Sequence, residues 1–278
     1  MVRTKPRLRL AVVGSHLVLL LATAVSIFPL IWMIGISVTP AAQISGAALR
    51  PIPLTPTIDN YVRAIEASNI PLQFVNSVIF AGGVTLGLLA VSIPAAYAIA
   101  RWRFRGSQLF VAALIVGLSV PFVVTYLPNF LFVSKAGLLN TYPGLILPQI
   151  ASAYGVLLLT QHFRSFPREI IEASQIDGAG PGRALISIIL PTLRAPILAV
   201  ALFVFITTWN ELVWPQLVAS ATNMQVLANG LTQFASLEGG VSYGPLMAAA
   251  TLTAAPTVIL FLVFRKRILA VALDGGIR

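Results

Sequence analysis

The sequence predicts an all-α integral membrane protein with six transmembrane helices and a helical cytoplasmic loop between the fourth and the fifth. Three observations predict it. Of the 278 residues, 58% are hydrophobic and only 9% charged, where a soluble domain carries about a quarter charged residues. Six apolar stretches are long enough to cross a hydrocarbon core that takes about 20 helical residues. The lysines and arginines fall almost entirely into connections that would share one side of a membrane.

The six stretches are residues 10–38, 72–100, 109–133, 142–159, 191–217 and 244–264. The first follows Arg3, Lys5, Arg7 and Arg9 and, with Ala22 and Ala24, imitates a secretory signal. Its apolar run outlasts a signal's core of about 7–15 residues, so it reads as an uncleaved helix. Proline recurs within or beside the spans, at Pro29, Pro94, Pro121, Pro128, Pro148, Pro196 and Pro256. In lipid such kinks are tolerated because neighbouring groups re-satisfy the freed carbonyls.

Direction follows from the charges. Fifteen of the eighteen basic residues belong to one side: the N-terminal four, then Arg101, Arg103 and Arg105, then Arg164, Arg168, Arg183 and Arg194, and finally Arg265, Lys266, Arg267 and Arg278. The other side holds Arg50, Arg63 and Lys135. The positive-inside rule puts both termini and both basic loops in the cytoplasm of a cell (inner) membrane, and two basic ends on one side require an even number of crossings. The chain thus divides into a basic tail (1–9), a membrane domain (10–264) containing the cytoplasmic loop 161–191, and a C-terminal tail (265–278). The outer connections are 39–71, 134–141 and 218–243, the first with a short helix predicted at 58–67.

Composition also excludes function classes. Without cysteine there are no disulfides and no thiolate metal sites. His16 and His162 are the only histidines, and no phosphate-cradling GxxxxGK sequence occurs, so no metal or cofactor is expected on this chain. The net charge of +10 lies in short clusters between apolar runs, a pattern of topology rather than of nucleic-acid binding. None of the eight acidic residues falls clearly at mid-span, which counts against an ion-coupled secondary transporter.

The loop between spans four and five carries the strongest local pattern. Ser165 is placed to cap a helix with Pro167 in its first turn. Glu169 and Glu172 then stand three residues apart near that helix's positive end. Ile170, Ala173 and Ile176 make a small apolar face, and Gly178 suits the left-handed residue that ends a helix. Gly180-Pro181 restarts a second helix, with Ala184, Leu185, Ile188 and Ile189 as its stripe. Two readings stay open on these grounds: a helical knob for a groove on another protein, or a loop lying on the membrane surface.

Glu172-Ala-Ser-Gln-Ile-Asp-Gly-Ala179, followed by Leu190-Pro191, resembles the EAA loop of permease subunits of ATP-binding-cassette (ABC) importers, E-A-A-x-x-D-G-A and then L-P. Ser174 stands where alanine is usual. Arg101-Trp-Arg-Phe-Arg-Gly106, Gly137-Leu-Leu-Asn-Thr-Tyr-Pro-Gly144 and Trp209-Asn-Glu211 extend the resemblance to the carbohydrate-type branch, and within it to the six-span subunit similar to the smaller permease of maltose importers. The resemblance implies a non-catalytic subunit that forms half of a path for a sugar or sugar-like solute, with a non-sugar solute such as glycerol phosphate as the alternative. It implies as partners a second permease, two nucleotide-binding ATPase subunits carrying ATP and Mg, and an extracytoplasmic solute-binding protein, all around a chain embedded in lipid. It gives Glu172 the role of ion-pair partner to the ATPase and Gly178 that of the turn. Glu169, Ala173, Ser174, Asp177, Ala179, Leu190 and Pro191 complete the coupling element.

Polar groups at membrane depth are costly and often functional. Tyr126 and Asn129 in span three, Gln149 and Tyr154 in span four, and Asn210 and Glu211 in span five are the solute-path set. Interfacial anchoring and docking of the binding protein stay open beside solute contact for the tyrosines and for Asn210 and Glu211.

Overall fold

The computed structural model describes residues 6–44, 53, 55–102, 104–236 and 240–276. Arg3, Lys5, Arg50, Arg103 and Arg278 of the charge pattern lie outside the described residues. In chain order the helices are α1 (Pro6–Ser37), α2 (Ala41–Ile44), α3 (Asp59–Ala67), α4 (Ile70–Arg101), α5 (Ser107–Leu118), α6 (Phe122–Lys135), α7 (Tyr142–Ile146) and α8 (Ala153–Ser165). They continue as α9 (Arg168–Ile176), α10 (Pro181–Ala184), α11 (Leu190–Thr192), α12 (Arg194–Trp209), α13 (Val213–Val218), α14 (Leu227–Gly230) and α15 (Tyr243–Gly276). A two-residue antiparallel pair, β1 (Ala235–Ser236) and β2 (Gly240–Val241), precedes α15.

Among the described residues, three helices are long and apolar enough to cross a membrane: Val12–Ser37 within α1, all of α4, and Tyr243–Arg265 within α15. The other three expected spans are not continuous helices. Ser107–Leu118 and Val123–Lys135 bend by 103°, Tyr142–Gln149 and Ala153–Ser165 by 51°, and Pro181–Thr192 and Arg194–Trp209 by 79°. Each of the stretches 109–133, 142–159 and 191–217 thus contains a break, and local causes are visible. Pro121 is extended (φ −60°, ψ 132°) ahead of α6. Pro148 sits in a 3-10 turn, and Ser152, also extended, accepts from the Gly155 N–H at 3.4 Å to cap α8. Leu193 (φ −90°, ψ 18°) separates α11 from α12, and α12 stops at Trp209 before the separate α13.

The chain forms two compact units. The first comprises residues 1–70 and 230–255. Here buried Asn60 of α3 donates from Nδ2 to the carbonyls of Ser37 (3.0 Å) and Thr39 (2.7 Å), and the Ser37 and Tyr61 hydroxyls are 2.8 Å apart. These bonds tie the helix expected at 58–67 to the end of α1.

The second unit comprises residues 71–229 and 256–278. Phe80, Val84 and Leu88, spaced by four along one face of α4, are buried with Val156, Leu159 and Phe163 of α8, Val200 and Val204 of α12, and Trp214 and Val218 of α13. α4 and α8 approach closely at Gly155. A Cβ there would lie 2.8 Å from Leu88 Cδ2 and 2.9 Å from Ser92 Oγ.

Side-chain bonds to backbone hold the irregular segments of this unit. Asn140 takes a left-handed conformation (φ 56°), accepts on Oδ1 from the Ala221 N–H (2.8 Å) and donates its own N–H to Val218 O (2.8 Å). Asn76, fully buried, donates to Asn223 O (3.0 Å) and Gln225 O (2.8 Å) and accepts from the Tyr142 hydroxyl (2.7 Å). Asn76→Ala leaves three polar groups without that partner, at about 1–3 kcal/mol for each one kept from water. A clearly lower unfolding midpoint in detergent is expected, and an unchanged midpoint contradicts this account.

Candidate functional sites: an exposed helical loop and a polar cavity

The loop after α8 departs from its sequence expectation at Ser165, at Pro167, which precedes α9 and is not in its first turn, and in the second helix, which has four α residues before π geometry. Ser165 does not cap α9, because its hydroxyl donates back to His162 O at 2.9 Å, within α8. The residue before α9 is Pro167, extended at ψ 132°, and Glu169 lies in the first turn. At the far end Gly178 has φ +80°. The reversal lets the Ala179 N–H reach Ser174 O (2.9 Å) and the Gly178 N–H reach Gln175 O (3.0 Å), closing carbonyls that a helix end leaves open. Pro181 then opens α10. Five residues in π geometry, Leu185–Ile189, lead into Leu190 and Pro191, with the Leu190 N–H bonded to Leu185 O. The wider turn gives a register in which proline's missing N–H is accommodated.

The two faces of α9 are unequal in an informative way. Ile171 and Ser174, 8% and 6% exposed, form its buried side, and Ser174 Oγ donates to Ile171 O at 2.7 Å. Serine is thus held at a packed position, its hydroxyl satisfied locally. Ile170, Ala173 and Ile176 face outward with Glu172, and Ile176 is 87% exposed. The stripe of the following segment instead packs inward, with Ala184 and Ile189 buried. Asp177 is exposed and Ala179 half-buried.

The end of α4 holds both roots of this loop. Arg101 donates from Nη2 to Phe166 O (3.1 Å), with its guanidinium 5.9 Å from the Phe166 ring centre. The Tyr97 hydroxyl meets Pro181 O at 3.5 Å, and its ring packs edge-on against Phe163 (6.0 Å) and Trp102 (5.7 Å). Sequence reading placed Arg101 and Trp102 only in a charge cluster and a branch motif, and it passed over Tyr97 and Phe166.

A cavity of ≈ 790 Å³ lies in the same unit, between α4, α5, α6, α8 and α12. Its polar lining is Thr125, Asn129, Gln149, Ser152, Tyr154, Thr207, Thr208 and Glu211, with no lysine, arginine or histidine among the lining residues. Gln149 Nε2 is buried with no hydrogen-bond partner. Tyr154 packs against Phe203 with ring centres 5.1 Å apart. Glu211 Oε1 accepts from the Tyr126 hydroxyl (3.0 Å) and from the N–H groups of Val213 (3.1 Å) and Trp214 (3.3 Å). Tyr126 stacks on Trp214, whose indole N–H donates to Leu145 O at 3.0 Å.

The structure therefore brings Asn129, Gln149, Tyr154 and Glu211 to one cavity. Tyr126 supports Glu211 instead of lining the space, and Asn210 bonds its own helix through Ile206 O (2.7 Å). The threonines, Ser152 and Phe203 are lining residues that sequence reading passed over. Phe203 and Thr207 stand four residues apart on one face of α12, a spacing that was available as a signal.

Known proteins share this architecture. Residues 83–270 match the family described as binding-protein-dependent transport system inner membrane component. A diacetylchitobiose uptake system permease protein of Streptomyces coelicolor is 33% identical, covering 95% of this chain and 88% of that one. An sn-glycerol-3-phosphate transport system permease protein of Escherichia coli is 31% identical over 91% of this chain and 92% of its own. A trehalose/maltose transport system permease protein of Thermococcus litoralis is 33% identical over 93% and 94%. In fold, the chain is similar to one from a bacterial ABC transporter involved in import of the acidic polysaccharide alginate, with a TM-score of 0.85, 18% identity, and coverage of 96% and 99%. With the family matched over residues 83–270 and these relatives matched nearly end to end, the chain belongs to the binding-protein-dependent transport system inner membrane components.

Proposed function

We propose that this chain is a permease subunit of an ABC importer for an uncharged sugar. It crosses the cell membrane six times, with residues 191–217 as the fifth crossing and both termini in the cytoplasm. It pairs with a second permease, receives solute from an extracytoplasmic binding protein, and takes its drive from two ATPase subunits that hold ATP and Mg. Residues 161–191 are its coupling loop: Glu169, Glu172, Ala173, Asp177, Gly178 and Ala179 form the presented element, while Ser174, Leu190 and Pro191 shape it. Catalysis of ATP hydrolysis belongs to the partner.

The observation that carries this reading is the outward face of α9. Three apolar positions, Ile170, Ala173 and Ile176, stand exposed beside Glu172, the pattern of a short helix made for a groove. The cavity supports the solute half of the reading. Thr125, Asn129, Gln149, Tyr154 and Glu211 offer hydrogen bonds and an aromatic face, and Gln149 Nε2 leaves a donor for a hydroxyl or carbonyl oxygen. One carboxylate and no cation among the lining residues make the space unfavourable for phosphorylated or acidic solutes.

The absence of cysteine makes the loop testable. In Ala173→Cys the new thiol is expected to react with maleimide in the isolated permease and to be shielded when the ATPase subunits are assembled. A thiol at Lys135 serves as the control that stays reactive in both. Equal labelling of Ala173→Cys with and without the ATPase overturns the coupling assignment.

A further inference from the structure

A second cavity, ≈ 1220 Å³, is built from cations. It is lined by Arg101 at the end of α4, Arg164 near the end of α8, Arg168 at the start of α9, and Ser107 and Gln108 in the first turn of α5. No acidic residue is among those lining it. Arg101 Nε is buried with no hydrogen-bond partner, and no side chain caps α5 after Gly106 (φ +89°). One buried N–H donor, two exposed guanidinium groups and a helix's positive end all favour an anion, phosphate above all.

The cavity does not end there. A groove of ≈ 240 Å³ shares Ser107, Gln108 and Arg164 with it and continues along Val111 and Ile115 of α5. One wall is thus cationic and the adjoining one apolar, with Ile115 exposed at 54%. A free phosphate would use only the first part, and an acidic peptide would leave the second uncovered. A phosphodiester headgroup with an acyl chain uses both. Basic pockets against the cytoplasmic leaflet attract anionic lipids, and the proposed orientation puts all three arginines on that side.

We propose that this cavity and groove form a binding site for an anionic phospholipid of the cytoplasmic leaflet. The proposal rests on the proposed orientation but not on the identity of the solute. The test uses the assembled importer in nanodiscs of equal parts phosphatidylglycerol and phosphatidylcholine, with co-purifying lipid counted by native mass spectrometry. Wild type is expected to retain phosphatidylglycerol selectively. Arg164→Gln with Arg168→Gln is expected to weaken that retention roughly tenfold, while the paired lysine variant, which keeps the charge, preserves most of it. Ile115→Trp, which fills the groove, is expected to weaken it with every arginine in place. Retention unchanged in the glutamine pair overturns the proposal. So does displacement of the lipid by inorganic phosphate alone, which would mark a soluble-anion site. Retention seen only after the ATPase subunits are stripped away also overturns it, marking the cavity as a protein contact. Loss of solute-stimulated ATP hydrolysis with lipid retention intact would strike the importer reading and leave this one standing.

Discussion

Gly178→Pro is expected to abolish solute-stimulated ATP hydrolysis in the assembled importer while the chain still inserts and binds its partner permease. Proline holds φ near −65°, whereas Gly178 sits at +80°. The substitution also deletes the N–H that reaches Gln175 O, and it disfavours the near-helical conformation of Asp177 (φ −74°, ψ 6°). α9 would then enter α10 along another path, displacing Glu172 and Ala173 from the surface they present. A graded series separates the turn from mere loss of glycine. Gly178→Asn, tolerated in left-handed backbone, should keep most stimulation. Gly178→Ala, strained by about 1–2 kcal/mol, should fall between. Glu172→Lys, which leaves the backbone alone, should uncouple through charge. Normal stimulated hydrolysis in the Gly178→Pro complex would remove the turn from the coupling mechanism.

Glu211 is the second position where a large loss is expected, for a different reason. Its Oε1 gathers Tyr126 on α6 and two N–H groups at the start of α13, beside the polar cavity. Glu211→Leu removes the acceptor for three donors at once. Each donor left dry costs about 1–3 kcal/mol, so poor yield and absent transport are expected together. Glu211→Gln keeps an acceptor oxygen and removes the charge. It should fold with near-normal yield and carry a neutral sugar, and its readout is uptake in proteoliposomes. If wild type itself carries a sugar phosphate, and Glu211→Gln folds and carries it faster, the uncharged-solute reading fails while the structural role of the carboxylate survives.

Much of this architecture is legible in the residues themselves. Helical class and membrane character follow from apolar runs that no soluble core needs. Gly178 at the end of a helix announces its left-handed backbone, and Gly180-Pro181 announces the restart. The breaks are less legible. Hydropathy averages over a window, and it reads straight through Pro121, Pro148 and Leu193, because apolar residues continue on both sides of each bend. Cap assignment at Ser165 failed because two partners compete for one hydroxyl. The preceding turn's carbonyl, three residues back, is always within reach, whereas capping would need the chain to turn earlier. Outward placement of Ile170 and Ile176 is a tertiary outcome. Local periodicity marks Ile170, Ala173 and Ile176 as one stripe, but only the packing of Ile171 and Ser174 decides which stripe is inside. The cavity was half visible for a similar reason. Amides and carboxylates stand out in an apolar run, while threonines blend into it because they satisfy themselves against their own helix, as Thr207 does with Phe203 O at 2.9 Å.

The 79° bend at Leu193 gives the segment Pro181–Thr192 a mechanical character. It stands nearly at right angles to α12, so in the proposed coupling it would act as a crank on that helix's axis. At about 1.5 Å per residue the arm is roughly 18 Å long, and a turn of α12 by about 10° would sweep its far end through about 3 Å. A displacement of that size at the loop is thus geared down to a small rotation of α12, the helix that carries Phe203, Thr207 and Thr208 to the cavity wall.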